Sequence, residues 1–173
     1  ADAIYDAAVK ENSASKKLQL FIQGYEAYPN DNRFTTGINE STLNLLEWAR
    51  RQHQLGKFET AIDRYGRILQ APAVSQLLIN SAEAHLNYAN SSKLIPALSE
   101  LKKEFERKTK VSELFNQSRV NLLFYPESID FLKDFNSAAK QLMDWAKKQH
   151  DSGNFEKAVD RYDLILASTY VDR

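Results

Sequence analysis

The sequence predicts an all-α fold, an α-solenoid of antiparallel helical hairpins. Three observations predict it. Apolar residues recur at three- and four-residue spacing along almost the whole chain, the mark of amphipathic helices. Only five Gly and four Pro are spread over 173 residues, as expected where helices are joined by short connections. The chain also matches itself when shifted by 97 residues, the sign of a duplicated unit.

The elements follow in order. The N-terminal Ala1-Asp2-Ala3 already reads as helical. From about 15 to 28, Leu18, Phe21, Ile22, Tyr25 and Tyr28 make one stripe, with Ser13 or Ser15 to cap its start. Pro29-Asn30-Asp31 ends it, because Pro cannot continue the hydrogen-bond ladder. From about 36 to 55 the stripe is Ile38, Thr42, Leu45, Leu46 and Ala49, and Gly56 supplies the left-handed stop. Phe58, Ala61, Ile62, Tyr65, Ile68 and Leu69 mark a helix over 58–70, closed by Ala71-Pro72-Ala73. Helices near 75–89 and 93–109 come next, with Asn90-Ser91-Ser92 between them and Pro96 in the first turn of the second. The scheme then repeats at about 111–124, 130–152 and 155–168, and no strand is expected. Connections of about two to seven residues force neighbouring helices antiparallel.

The shift of 97 residues places Tyr28-Pro29 on Tyr125-Pro126, Phe34 on Phe131, Asn39 on Asn136 and Leu45 on Leu142. Trp48-Ala49 and Gln52-His53 fall on Trp145-Ala146 and Gln149-His150. Gly56, Phe58, Glu59, Ala61, Asp63-Arg64-Tyr65 and Ile68-Leu69 likewise find themselves again, and Val74 falls on Val171. From 28 to 74 this makes 19 identities in 47 positions, where unrelated sequences give about 3. Upstream, Ile4 meets Leu101 and Ser15 meets Ser112. The expected organisation is a first unit of about five helices over 1–97 and a second, truncated copy over 98–173. A copy cut short at Arg173 suggests a polypeptide that continues, and Ala1 reads equally as a mature or a cloning terminus.

At residues 45–69 the pattern Leu45-x-x-Trp48-Ala49, Gly56-x-Phe58-x-x-Ala61-x-x-x-Tyr65-x-x-Ile68 resembles the tetratricopeptide repeat: helix, Gly turn, helix. The second copy keeps Leu142, Trp145, Ala146, Gly153, Phe155, Ala158, Tyr162 and Ile165. The small Ala49 and Ala61 would let two helices approach, while Phe58 and Tyr65 fill the groove to the next hairpin. Gln52 and Gln149 depart from the family, which has an aromatic there, and its Pro falls one residue after Pro72. The resemblance implies a right-handed superhelix of hairpins, with 77–89 and 93–109 as a degenerate pair. In general style the chain is also similar to repeat regions of secreted Gram-positive proteins, including those attached to cell-wall hydrolases.

Composition narrows the function. The 43% hydrophobic and 11% aromatic content can supply a core. Twenty-three basic residues balance 23 acidic ones, so no field attracts nucleic acid or an anionic membrane. Lys102, Lys103, Arg107, Lys108 and Lys110 are interleaved with Glu100, Glu104 and Glu106, which reads as a solvated helix face. The absence of Cys excludes disulfides, zinc–thiolate sites and cysteine nucleophiles. It is compatible with the cytoplasm and with export from a bacterium; the style of the chain leans to the Gram-positive cell surface. No apolar run is long enough to span a membrane.

The candidate binding residues are Trp48, His53 and Arg64, with Trp145, His150 and Arg161 in the second copy. Each Trp lies five residues before its His, which could set an aromatic platform for a sugar ring beside an imidazole. The alternative is a packing Trp and a solvent-facing His, favoured at a helix C-terminus when charged. Arg64 and Arg161 could hold a partner's carboxylate; alternatively Glu59 with Asp63, and Arg64 with Arg67, form surface networks, or the recurring Asp-Arg pairs make an inter-helix bridge in both copies. Arg50, His53, Asp63 and Arg64 are the residues expected to line a binding groove. His53, His85 and His150 lie on different helices with no metal-type spacing, and neither a nucleophile elbow nor a Gly-rich phosphate loop is present. No catalytic residue, metal or cofactor is expected. The functional expectation is a non-catalytic module binding a protein or peptide, within a longer protein. The alternative is a cell-wall or glycan-associated spacer or binding region of a secreted bacterial protein, with wall polysaccharide as its partner.

Overall fold

A computed structural model describes residues 1–168, and within them the fold is all-helical. The helices are α1 (Asp2–Lys10), α2 (Ala14–Ala27), α3 (Asn32–Gln54), α4 (Phe58–Gln70), α5 (Gln76–Asn90), α6 (Leu98–Glu106), α7 (Val111–Phe124), α8 (Ile129–Asp151) and α9 (Phe155–Leu166). The chain divides into two compact units, Ala1–Ile95 and Pro96–Arg173. Helices α7 and α8 begin and end 97 residues after α2 and α3, and α9 begins 97 after α4. The pairing of Val74 with Val171 lies outside the described residues.

Local chemistry sets these boundaries. Asp31 caps α3 by accepting the Arg33 N–H at 3.1 Å, and Ser128, 97 positions on, caps α8 by accepting from Phe131. The Asp31 carboxylate also takes the Arg33 side chain, and that hydrogen bond holds it below the usual carboxylate range. Ser13 stands at the N-cap of α2, but its hydroxyl makes no capping bond. Helices α3 and α8 stop at Gly56 and Gly153, at φ +75° and +77°, a conformation that costs any other L-residue about 1 kcal/mol.

One stretch departs from expectation. The helix expected over 93–109 is only Leu98–Glu106, and Pro96 stands before it rather than in its first turn. Pro96 pushes Ile95 out of helical geometry. The helix starts two residues later, where the Ala97 N–H donates to the Glu100 carboxylate at 3.0 Å. Of the pair expected from 77–89 and 93–109, α5 packs on α4 and α3 in the first unit, and α6 packs on α7 in the second.

In the first unit each helix packs on the next, with α3 at the centre. Phe34, Ile38, Leu46, Ala49, Ala61, Tyr65 and Ile68 are fully buried. Each large apolar side chain among them contributes about 1.5–3 kcal/mol. Helices α2 and α3 approach through two reciprocal notches. A Cβ on Gly24 would fall 2.0 Å from the Phe34 ring, and one on Gly37 would fall 2.4 Å from Phe21. In the second unit the core is Phe115, Leu122, Phe131, Phe135, Leu142, Ala146, Ala158 and Ile165, with the Phe115 and Phe135 rings 5.4 Å apart.

Candidate functional site

The two Trp–His pairs, alike in sequence, meet different surroundings. His53, in the last turn of α3, is completely buried. Its Nε2 lies 2.8 Å from the Lys93 carbonyl and its Nδ1 3.2 Å from the Tyr65 hydroxyl. A carbonyl only accepts, so Nε2 carries the proton, and in the neutral ring Nδ1 accepts from Tyr65. Burial favours that neutral form and holds the His53 pKa below its usual value. The same desolvation pushes the Tyr65 phenol up. Both His53 nitrogens are therefore engaged inside the protein, and the expectation that His53 lines a ligand groove or faces solvent fails. The cause is α5, which lies against α4 and α3 and carries the chain round to Lys93.

His150 is exposed at the end of α8. It lies 3.6 Å from the Asp151 carboxylate with its ring against Phe155. His85 is buried on α5, donating from Nδ1 to the Ser81 carbonyl at 2.6 Å. Its ring lies 5.4 Å from Tyr65, which thus stands between two buried histidines.

The Trp and Arg residues do recur as a pair. The Arg64 guanidinium stands over the Trp48 ring, 5.4 Å from its centre, and Arg161 stands over Trp145 at 5.6 Å. A cation over an indole face is attracted by the ring quadrupole, and the stack fixes the charge at the α3–α4 and α8–α9 seams. Asp63 takes both Arg64 and, one turn on, Arg67 at 3.2 Å. Leu164 stands in the place of Arg67 in the second unit.

Each unit also holds a groove, and the two linings overlap at two corresponding positions. In the first it measures about 690 Å³, with Leu18 and Ile22 of α2, Leu45 of α3 and Asp63 and Arg67 of α4 on its walls, and Ser15 at one end. In the second it measures about 350 Å³, lined by Ser112, Leu142, Trp145 and Arg161 with the 109–111 stretch that enters α7. Ser15 and Leu45 correspond to Ser112 and Leu142. Of the four residues expected to line a groove, only Asp63 does so in the first unit; Arg50 and His53 are buried. Sequence reading missed Gln19, Arg67 and Gln70, whose counterparts Asn116, Leu164 and Ala167 differ and so gave no signal.

Among the described residues no group of three or more His, Asp or Glu side chains is placed to hold a metal ion. No described helix is long and apolar enough to cross a membrane. Comparison with protein-family models, with curated proteins and with solved structures gives no match for the chain.

Proposed function

We propose that this chain is a non-catalytic helical-repeat module that binds a protein or peptide, each unit built around a tetratricopeptide-like hairpin. The observation that carries the reading is a groove in each unit, the two linings sharing two corresponding positions, Ser15 with Ser112 and Leu45 with Leu142. Both grooves mix apolar floors with polar rims, Ser15, Gln19, Asp63, Arg67 and Gln70 in the first and Ser112 and Arg161 in the second. Such a surface takes alternate side chains of a bound segment on its apolar floor and hydrogen-bonds the backbone at its rim. The arginines at the rim offer planar donors to a carboxylate of the bound segment.

Panning a displayed library of 12-residue random peptides on the immobilised chain tests the reading. Peptides should be enriched and should bind the free chain in solution. Gln19→Ala with Arg67→Ala, or Arg161→Ala, should weaken them at least fivefold. Failure to enrich any peptide, or binding untouched by all of these substitutions, would overturn it.

A further inference from the structure

Four of the five glycines have a reason inside the protein. Gly56 and Gly153 stand at positive φ where α3 and α8 stop, and Gly24 and Gly37 leave room for the Phe34 and Phe21 rings. Gly66 has neither reason. It lies inside α4 without positive φ, and a Cβ built on it would meet nothing within 4 Å. A glycine inside a helix is less stable than an alanine, because it has more backbone freedom to lose. The fold alone would be better served by alanine here.

The place of Gly66 supplies a reason from outside the fold. Helices α2 and α4 both pack on α3. The groove of the first unit takes its lining from α2 and α4, with Leu45 of α3 between them, and Gly66 lies on its α4 wall. Asp63, Gly66, Arg67 and Gln70 make that wall, and Gly66 is the one of the four without a side chain. The α2 wall carries Leu18, Gln19 and Ile22. The charges beside Gly66 are already matched, since Asp63 binds both Arg64 and Arg67. A notch in such a wall favours an uncharged group of some bulk.

We propose that Gly66 opens an anchor pocket in this groove for one large apolar side chain of a bound peptide, a leucine, phenylalanine or tryptophan. The inference deepens the reading of the groove as a peptide-binding surface and rests on it. The anchor lies against Leu18, Ile22 and Leu45, out of water, and crosses the α4 backbone where a side chain at position 66 would otherwise stand. The exposed carboxamides of Gln19 and Gln70 meet N–H and C=O groups of the peptide backbone beside it. In the second unit Asp163 takes the place of Gly66, so this anchor belongs to the first unit alone.

The test uses the full 15N-labelled chain and three small probes, the N-acetyl amides of leucine, phenylalanine and alanine. The leucine and phenylalanine amides should give saturable shifts at Gly66, Leu45 and Ile22. The alanine amide should bind at least tenfold more weakly, as expected when an apolar pocket is left unfilled. Gly66→Ala should weaken both large amides at least fivefold while its urea midpoint holds or rises. Gly66→Asp, which copies the second unit, should abolish their shifts with the helical circular dichroism retained. Equal binding of the three amides, no binding, or shifts unchanged in both variants would overturn the proposal. So would a urea midpoint that falls in Gly66→Ala, since the glycine would then serve the fold. The panned peptides, titrated into Gly66→Ala, separate the two readings. If they bind the parent chain and the variant equally, only the anchor fails. If no peptide binds the parent chain, the interaction module itself fails, and the anchor with it.

Discussion

Nε2 of His53 lies 2.8 Å from the backbone carbonyl of Lys93, forty residues further along the chain. The bond ties the end of α3 to the segment that leaves α5, and Tyr65 on α4 completes the join at Nδ1. Three elements thus meet at one buried imidazole. His53→Ala leaves the Tyr65 hydroxyl and the Lys93 carbonyl without their partner and opens a cavity, so it should cost about 2–4 kcal/mol. His150→Ala, at an exposed ring, should cost under about 0.5 kcal/mol. Each unit holds one of the two tryptophans. Urea denaturation followed by Trp48 fluorescence in a Trp145→Phe background therefore reads the first unit alone.

The same imidazole makes the first unit sensitive to acid. Burial holds the folded-state pKa of His53 below its usual value, so between the two values the unfolded chain binds the additional proton. The contribution of His53 is fully present above the unfolded value of about 6.5 and is lost as pH falls through and below it. One proton gives a slope of at most about 1.4 kcal/mol per pH unit. The urea midpoint read by Trp48 should fall between pH 7.5 and pH 5, and should fall less in His53→Gln. A midpoint with the same pH dependence in both proteins would count against this.

The notches at Gly24 and Gly37 give a compensation test. A methyl at Gly37 would overlap the Phe21 ring, and the backbone and ring must part to admit it. Gly37→Ala should cost about 1–3 kcal/mol. Phe21→Leu in the same chain should recover part of that loss, giving a coupling of at least about 0.5 kcal/mol in a double-mutant cycle. The second unit has Ser118 and Asp134 at the places of Phe21 and Gly37. Ring and glycine are both replaced at this notch, whereas at the other Phe131 keeps the ring of Phe34 and Asn121 stands in the place of Gly24. Burial raises the pKa of the Asp134 carboxyl, with Lys102 opposing that shift.

These comparisons show what was legible in the chain. The bounds of α2, α7 and α8 could be read to within one residue, because Pro29, Pro126 and Gly153 stand at their ends and act within a few residues. The start of α3 was missed by four residues, because its cap is Asp31, immediately after the Pro29 break. Helix α6 was overdrawn at both ends, and at its start because Pro96 was read inside the first turn when it stands before the helix. The site was less legible for a different reason. His53 and His150 share their neighbours Gln52 and Gln149, Gly56 and Gly153, and Phe58 and Phe155. Their burial differs because α5 covers only one of them, and no nearby residue encodes that cover.

The recurring cation–aromatic stacks should behave alike. Arg64→Ala and Arg161→Ala should each cost about 0.5–1 kcal/mol, the range for a partly exposed cation over an indole. The Trp48 or Trp145 emission maximum should move to longer wavelength as the guanidinium is replaced by water. Arg64→Lys should restore less than half of the loss, because an ammonium cannot stack in plane. An unchanged emission maximum in both variants would show that the arginines do not cover the rings in solution.

The central claim is that the two grooves are the binding surfaces of an interaction module. Chemical-shift mapping of the 15N-labelled chain with the strongest panned peptide tests it most directly. The predicted result is saturable shifts at Ser15, Gln19, Asp63 and Arg67, at Ser112 and Arg161, or at both sets, with the buried His53 amide undisturbed. Shifts confined to residues outside both grooves, or none at saturating peptide, would contradict it.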